Sequence, residues 1–519
     1  MESWMKRFWA KGKEMNQGKV ILVGAGCGPD LITVAGLREL EKAESVVYDD
    51  LIDQGLLEYT PEDCHRIYVG KRSGRHSKAQ EEINQILIEE AKKGYRVVRL
   101  KGGDSFVFGR GGEEILALQK EGIPYRMIPG VTSSVAVPES LGIPVTHRKV
   151  ARSFSVITGH TADSNPQEEK KRWDALAKVG GTLVFLMGLH SAKKISDGLM
   201  AAGMPGDRPA SILSRGYTVD AKRIDGDLAS LEKMAEEAST PSVIVVGDVA
   251  ALHMEATDQG ELSNQSVTLT GSDFFTKRLA LALEKEGAYV RSYPYVKLIA
   301  DKDAIPEMDE LSNHWLVFTS SNGVRIFFEY LKEKKLDLRC LFGAKFACIG
   351  AGTEKTLAEY GFYADLIPED YTAKALGEKL SRELQGSNEK IHILRAANGS
   401  IELNAVLDQA GIQYQDHKIY HTVIATDRLP QEEIHTNYLV FASKYGAKGF
   451  FEQRDPLGIE RIQDLYKRIH TGEVRVICIG EITGSEVKKH LSDEDSEKLL
   501  IAKKHTVEGI LEQIRGREE

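Results

Sequence analysis

The sequence predicts an α/β protein built of two tandem α/β units. Short apolar strands alternate with amphipathic helices along nearly the whole chain, and strand ends run into glycine-rich or hydroxyl-rich loops. The alternation starts afresh after a polar stretch that covers residues 253–265. At 519 residues the chain also exceeds what a single core usually supports, about 250–300 residues. These observations divide it into a basic leader (1–17), a first unit (18–252, in lobes of 18–133 and 134–252), a linker (253–265) and a second unit (266–519).

Composition narrows the class. With 42% apolar and 28% charged residues, the chain reads as a water-soluble protein, and no apolar run is long enough to cross a bilayer. Met1 to Lys13 mixes Trp4, Phe8 and Trp9 with lysines and lacks the apolar core of a secretion signal. Five scattered cysteines without ligand spacing argue for a reducing cytoplasm and against a disulfide framework or a metal site. A net charge of -9 argues against nucleic acid as a partner. Yet Lys71, Arg72, Arg75, His76, Lys101, Arg110, Arg126, His147, Arg148, Lys149 and Arg152 crowd one region, which suits a compact polyanion, or simply a solvated face.

In the first unit, strand Lys19 to Val23 breaks into Gly24-Ala25-Gly26-Cys27-Gly28-Pro29-Asp30, with a helix from about Leu31 and a strand Val46 to Tyr48 ending at Asp49 and Asp50. The pattern imitates a dinucleotide fingerprint, but Pro29 removes an amide where a pyrophosphate needs one. Strand Arg66 to Val69 opens onto the basic loop from Gly70 to Ser77, followed by a helix from Lys78 to Lys93. Strand Tyr95 to Leu100 then enters Lys101-Gly102-Gly103-Asp104-Ser105-Phe106-Val107-Phe108-Gly109-Arg110-Gly111-Gly112-Glu113. Two glycine pairs flanking an acid and an arginine, at the carboxyl end of a strand, mark a binding loop. After a helix (Glu114 to Lys120) and a strand (Tyr125 to Ile128) comes Pro129 to Ser134; these alternations predict a mostly parallel sheet. The second lobe supplies strands Ser155 to Thr158, Thr182 to Met187, Pro209 to Leu213 and Ser242 to Val246, whose loops include Met187-Gly188, Ser214-Arg215-Gly216 and Gly247-Asp248.

The second unit repeats itself. Trp315 to Gly323 echoes Tyr438 to Gly446, each followed by paired phenylalanines; Ala347 to Thr353 echoes Val476 to Thr483; Ser266 to Gly271 echoes Ile391 to Arg395. The chain thus holds two related modules, whose loops offer Thr319, Ser320, Ser321, Thr353, Ser443 and Thr483 as helix caps or ligand contacts.

These motifs are familiar. Val23 to Asp30, Tyr48-Asp49-Asp50-Leu51-Ile52, Gly70-Lys71-Arg72 with His76 and Gln80, the loop at 101–113, Pro129-Gly130-Val131-Thr132-Ser133 and Pro144-Val145-Thr146-His147-Arg148 resemble the uroporphyrinogen-III C-methyltransferases of the tetrapyrrole methylase family. Phe318-Thr319-Ser320, Ile349 to Thr353 and Tyr420-His421-Thr422-Val423 look like uroporphyrinogen-III synthase. The resemblance implies a two-lobed methylase unit followed by a two-module synthase-like unit, with 266–298 and 428–519 forming one module and 300–425 the other. It implies cyclisation of hydroxymethylbilane to uroporphyrinogen III and its methylation to precorrin-2, with S-adenosylmethionine as donor and S-adenosylhomocysteine as product. Motif matching implies cofactor contacts at Pro29, Gly102, Gly103, Asp104, Thr132, Ser133, Met187, Gly216 and Gly247. Arg110, oriented by Glu113, and Asp49 are then the catalytic candidates for methylation, and Tyr420 for cyclisation. Arg72, His76 and Arg148, with Thr319, Ser320, Thr353, Ser443 and Thr483, are the candidates for holding substrate carboxylates. The resemblance further implies a homodimer through the first unit and only small tetrapyrroles as partners. Two rival readings stand beside it: another tetrapyrrole methylase with a degenerate synthase half, and a nicotinamide oxidoreductase, which Pro29 opposes.

Overall fold

In the computed structural model, residues 18–516 are described except 29, 62, 71–79, 160–164, 258–259, 264, 308–310, 388, 425–435 and 453–455. The expectations for the leader, Pro29, Arg72 and His76 therefore lie outside the described residues. The chain divides into two compact units, Met1–Gln259 and Gly260–Glu519. No described helix is long and apolar enough to cross a membrane.

The first unit contains two five-stranded sheets. Strands β1 (Lys19–Gly24), β2 (Ser45–Tyr48), β3 (His65–Tyr68), β4 (Arg96–Lys101) and β5 (Tyr125–Ile128) form an all-parallel sheet in the order β3-β2-β4-β1-β5. Strands β1 and β4 lie inside it and bury Val20 to Val23 and Val97, Val98 and Leu100 on both faces, because helices cover each side, while Arg96, Arg99 and Lys101 put charges on β4. Helix Gln80–Lys92 follows Gly70 and the basic loop, and helix Gly111–Lys120 follows the glycine loop.

The second sheet departs from a simple repeat of the first. Strands β6 (Phe154–Thr158), β7 (Thr182–Leu186), β8 (Pro209–Ser214), β9 (Lys222–Asp227) and β10 (Ser242–Val246) run in the order β6-β7-β10-β8-β9, and only β6 and β7 are parallel. Strand β9 escapes sequence reading because it is an edge strand whose one buried apolar side chain is Ile224. The polar segment after Leu252 is partly docked: Met254 N–H donates to the Gly142 carbonyl (3.0 Å), and Arg223 reaches Glu255 (3.2 Å) and the Leu252 carbonyl (2.9 Å). At its other end, Leu262 is buried in the core of the second unit.

The second unit is one nine-stranded sheet. Strands β11 (Ser266–Ser272), β12 (Tyr289–Ala300), β13 (Trp315–Phe318), β14 (Lys345–Cys348), β15 (Ile391–Ala396), β16 (Tyr414–Ile424), β17 (Tyr438–Phe441), β18 (Arg475–Cys478) and β19 (Leu500–Ile501) run in the order β14-β13-β15-β16-β12-β11-β17-β18-β19. All neighbours are parallel except β12 and β16, which pair antiparallel from Val296↔Ile424 to Ala300↔Tyr420. That pair forms a ribbon between two halves of matching topology. Ala347 bridges Leu366 as Cys478 pairs with Ile501, so even the outermost strand has a counterpart.

Candidate functional sites

Three strand ends of the first sheet meet without side chains between them. A Cβ on Gly24 would lie 2.4 Å from the Gly130 nitrogen and 2.7 Å from the Gly103 carbonyl oxygen, and one on Gly130 would lie 2.2 Å from that same oxygen. Backbone therefore passes directly over backbone, an approach that only glycine permits. Gly26 and Gly103, at φ +74° and +65°, exchange both amide hydrogen bonds (3.1 and 2.7 Å). Asp104 closes the arrangement: its Oδ1 accepts from Phe106 N–H (2.8 Å) and its Oδ2 from Gly130 N–H (3.0 Å). Motif matching makes Asp104 a cofactor contact, and its carboxylate here clamps two loops together.

The second lobe adds the other wall. Gly28 packs beneath the Tyr217 ring, which a Cβ would meet at 2.8 Å, and Gly216 packs against Val137. Thr132 caps helix Ser133–Ser140, accepting from Ser134 N–H (3.4 Å), and the Ser133 nitrogen lies 3.8 Å from where a Gly103 Cβ would stand. Cys27 and Val107 of the first lobe join the apolar cluster of Val145, Val150, Leu186 and Leu213 in the second. Gly102, Gly103, Asp104, Thr132, Ser133 and Gly216 thus converge. Met187 stands at the same sheet edge as Gly216, exposed and at φ +55°, because the ends of β7 and β8 flank the start of β10.

Gly247 does not converge with them. Strand β10 runs antiparallel to β7 and β8, so its carboxyl end emerges at the opposite edge, where Gly247 packs on Gly181 and donates its N–H to the Pro209 carbonyl (2.9 Å). The five residues of β10 separate it from that edge by about 16 Å. Motif spacing carries no strand direction, which is why the sequence grouped it with the rest.

Charges surround the loop in two layers. On the exposed side, Arg110 sits at φ +57° as the cap residue of helix Gly111–Lys120 and forms a bidentate pair with Glu113 (2.9 and 2.5 Å). That bond raises the Arg110 pKa and lowers that of Glu113, so the pair is a protonated guanidinium beside a carboxylate. Beneath it, Arg99 bonds Asp49 (2.9 Å) and Glu114 (3.2 Å), and Lys101 bonds the same Glu114 oxygen (2.9 Å). Burial and the neighbouring Arg99 charge pull the Lys101 pKa down against the attraction of Glu114. The sequence signal for this cluster is Arg99 and Lys101 at a two-residue spacing in the buried carboxyl half of an interior strand. Arg148 is exposed at a turn in which His147 and Ala151 exchange backbone hydrogen bonds (2.8 and 2.9 Å).

In the second unit, both sets of parallel strands point their carboxyl ends at the ribbon. The strand ends of one half lie level with Tyr293 to Val296 on β12, and those of the other level with Tyr420 on β16 and its partner Ala300. The two edges therefore face each other across the four residue steps from Val296 to Ala300, about 13 Å. Ser320 and Ser443 cap their helices in matching fashion, accepting from Gly323 N–H (3.1 Å) and Gly446 N–H (2.9 Å). Thr353 and Thr483 are buried at equivalent helix starts, and Thr319 is half-buried beside Ser320. The buried Tyr420 hydroxyl lies 2.7 Å from Ser320 Oγ, and burial raises its pKa above the usual phenol value, so it stays a proton donor.

Sequence reading missed two further features of this unit. Asn398 Nδ2 donates to the Tyr445 hydroxyl (2.8 Å), spanning the facing edges. Tyr371 and His505 occupy matched places: each ring covers the glycine after a strand, Gly350 or Gly480, and each precedes a threonine cap, Thr372 or Thr506. The buried cysteines are protonated, burial pushing Cys348 and Cys478 up to about 12.

Residues 19–232 match the family model of the Tetrapyrrole (Corrin/Porphyrin) Methylases, and residues 277–512 match that of uroporphyrinogen-III synthase HemD. The chain is 32% identical over 518 residues to the porphyrin biosynthesis protein HemD of Ruminiclostridium josui, covering 96% of this chain and 98% of that one. Its first half is 52% identical over 237 residues to the uroporphyrinogen-III C-methyltransferase of Methanocaldococcus jannaschii, covering 45% of this chain and 96% of that protein. A uroporphyrin-III C-methyltransferase from Thermus thermophilus, crystallised with S-adenosyl homocysteine, is 35% identical with a TM-score of 0.39, covering 45% of this chain and 94% of that one. The chain belongs to the HemD-type porphyrin-biosynthesis proteins in which a tetrapyrrole methylase is fused to a uroporphyrinogen-III synthase unit.

Proposed function

We propose that this bifunctional enzyme of tetrapyrrole biosynthesis closes hydroxymethylbilane to uroporphyrinogen III in its second unit and methylates that ring twice in its first, releasing precorrin-2. One observation carries the reading: the same chain brings glycine-rich strand ends of one lobe against Gly216 and Tyr217 of the next and, separately, holds two hydroxyl-lined sheet edges that face each other. The product of the second reaction site is the substrate of the first.

S-Adenosylmethionine, when bound, supplies an electrophilic methyl group. The first unit suits it: Gly24 and Gly130 let three strand ends close on one another, the space beside Gly103 stays open, with only the Ser133 nitrogen within 4 Å of where a Cβ would stand, and Met187 and Tyr217 offer apolar walls. Gly102, Gly103, Thr132, Ser133, Met187 and Gly216 would hold the cofactor, with Asp104 bracing the loops. Arg110 and Arg148 would hold substrate carboxylates, Arg110 thereby positioning the ring against the methyl donor. Asp49, whose carboxylate Arg99 orients, is the candidate to remove the ring proton after transfer.

In the second unit, the Tyr420 hydroxyl would donate to the departing hydroxyl group. Thr319, Ser320, Thr353, Ser443 and Thr483, with helix amides, would fold the flexible chain so that its ends meet. The first unit would form a homodimer, which sedimentation of the intact chain tests. The decisive assay supplies hydroxymethylbilane with S-adenosylmethionine to the purified protein and follows precorrin-2. Arg110→Ala should stop methylation while uroporphyrinogen III still accumulates. Loss of ring closure in that variant would refute the division of labour.

A further inference from the structure

The buried ion cluster under the glycine loop has no place in the reading above beyond its contact with Asp49. Arg99 and Glu114 are almost wholly buried, with side-chain exposures of 2% and 0%, and Lys101 is at 8%. Such clusters seldom repay the cost of desolvating their charges, so stability alone gives no reason for this one. Its wiring is specific. The Arg99 guanidinium uses Nη2 for Asp49, Nε for Glu114, and Nη1 for the carbonyls of Val47 (3.2 Å) and Leu100 (3.0 Å). It thereby ties the end of β2 to β4 and both to the first turn of helix Gly111–Lys120. Glu114 N–H in turn reaches the Arg110 carbonyl (3.3 Å). The second Glu114 oxygen is buried and has no partner among the described residues.

The cofactor loop is held by other means. Gly103 is fixed by the backbone exchange with Gly26, Gly102 packs on Leu51, and Asp104 is held by its bonds to Phe106 and Gly130. The side chains of the ion cluster bond to none of these groups, so their effect falls on Asp49, Arg110 and Glu113.

We propose that Arg99 and Glu114 are positioning residues for methyl transfer, holding the Asp49 carboxylate and the Arg110–Glu113 turn in fixed relation at the reacting edge. The inference rests on the methyltransferase reading and deepens it. Arg99 acts as a three-way fork here, a task that lysine, with a single nitrogen on a flexible stem, does not perform.

The test measures methyl transfer to uroporphyrinogen III by the full chain, and S-adenosylhomocysteine affinity by calorimetry. The single variant Arg99→Met leaves two carboxylates, Asp49 and Glu114, to the one cation Lys101, so it is paired with Glu114→Gln, which leaves one charge of each sign. The double variant should lose kcat on the order of a hundredfold, as a misplaced reacting group does. Its S-adenosylhomocysteine Kd should stay within about threefold of the parent. Arg99→Lys should not restore kcat. Unchanged kcat, a joint fall of kcat and cofactor affinity, or full activity in Arg99→Lys would each overturn the proposal. A parent chain that binds S-adenosylhomocysteine but transfers no methyl group would instead refute the functional reading itself.

Discussion

Asp104→Asn separates two roles that one residue could play in the cofactor cleft. The carboxylate accepts from Phe106 N–H at 2.8 Å and from Gly130 N–H at 3.0 Å, one oxygen for each loop. An asparagine of the same shape keeps one acceptor and turns its NH₂ toward the other amide, so one charge-assisted bond becomes two donors facing each other. Bonds to charged groups contribute about 1.5–3 kcal/mol, and losing one here would loosen the contact that sets Gly130 against Gly103. Should the ligand require that closed arrangement, 2 kcal/mol corresponds to roughly a 30-fold loss of affinity. Calorimetry with S-adenosylhomocysteine and with 5′-methylthioadenosine, which lacks the amino-acid end, provides the assay. A loop clamp weakens both ligands by a similar factor. A direct partner of the ammonium group weakens only S-adenosylhomocysteine, and that result, or unchanged binding of both, would refute the clamp.

Other expectations follow from single contacts. Tyr420→Phe removes the hydroxyl 2.7 Å from Ser320 Oγ, so cyclisation should fall at least about tenfold while methylation of supplied uroporphyrinogen III is unchanged; assays of the two half-reactions check this. Because burial raises the Tyr420 pKa above its usual value of about 10, the phenol remains protonated through neutral and mildly alkaline pH. The Tyr420-dependent part of the cyclisation rate, wild type less Tyr420→Phe, should therefore stay flat from about pH 7 to 9. Gly24→Ala places a Cβ 2.4 Å from the Gly130 nitrogen, with backbone on every side, and should abolish S-adenosylhomocysteine binding while cyclisation persists. His392, 1% exposed, links His314 (3.1 Å), just before β13, and His417 (3.0 Å) of β16 in a stacked row. His392→Leu removes both bonds and should cost about 1–3 kcal/mol of stability in the second unit, read from the urea midpoint of cyclisation activity.

Much of this protein is legible in its sequence. Strand and helix existence follows from apolar periodicity, and most boundaries fall within a few residues of the observed ones, as with Tyr125–Ile128 and Ser242–Val246. The glycines of the loop at 102–112 and the hydroxyl residues after each repeated strand are visible as local chemistry, because backbone freedom and capping are properties of neighbouring residues. The doubling of the second unit is likewise written in the repeated segments, and it carries through to the matched caps at Ser320 and Ser443.

Tertiary structure decided what depends on direction and partnership. Strand β10 runs antiparallel to its neighbours, which sends Gly247 to the far edge while Met187 and Gly216 stay together. Asp104 turns out to brace two loops because Gly130, 26 residues away, comes within 3.0 Å. Arg99 and Lys101 find Asp49 and Glu114 only once β2, β4 and the following helix are packed. Short-range order is encoded in spacing and propensity, whereas the sign of a strand crossing and the partner of a buried charge are settled by which surfaces must be covered together.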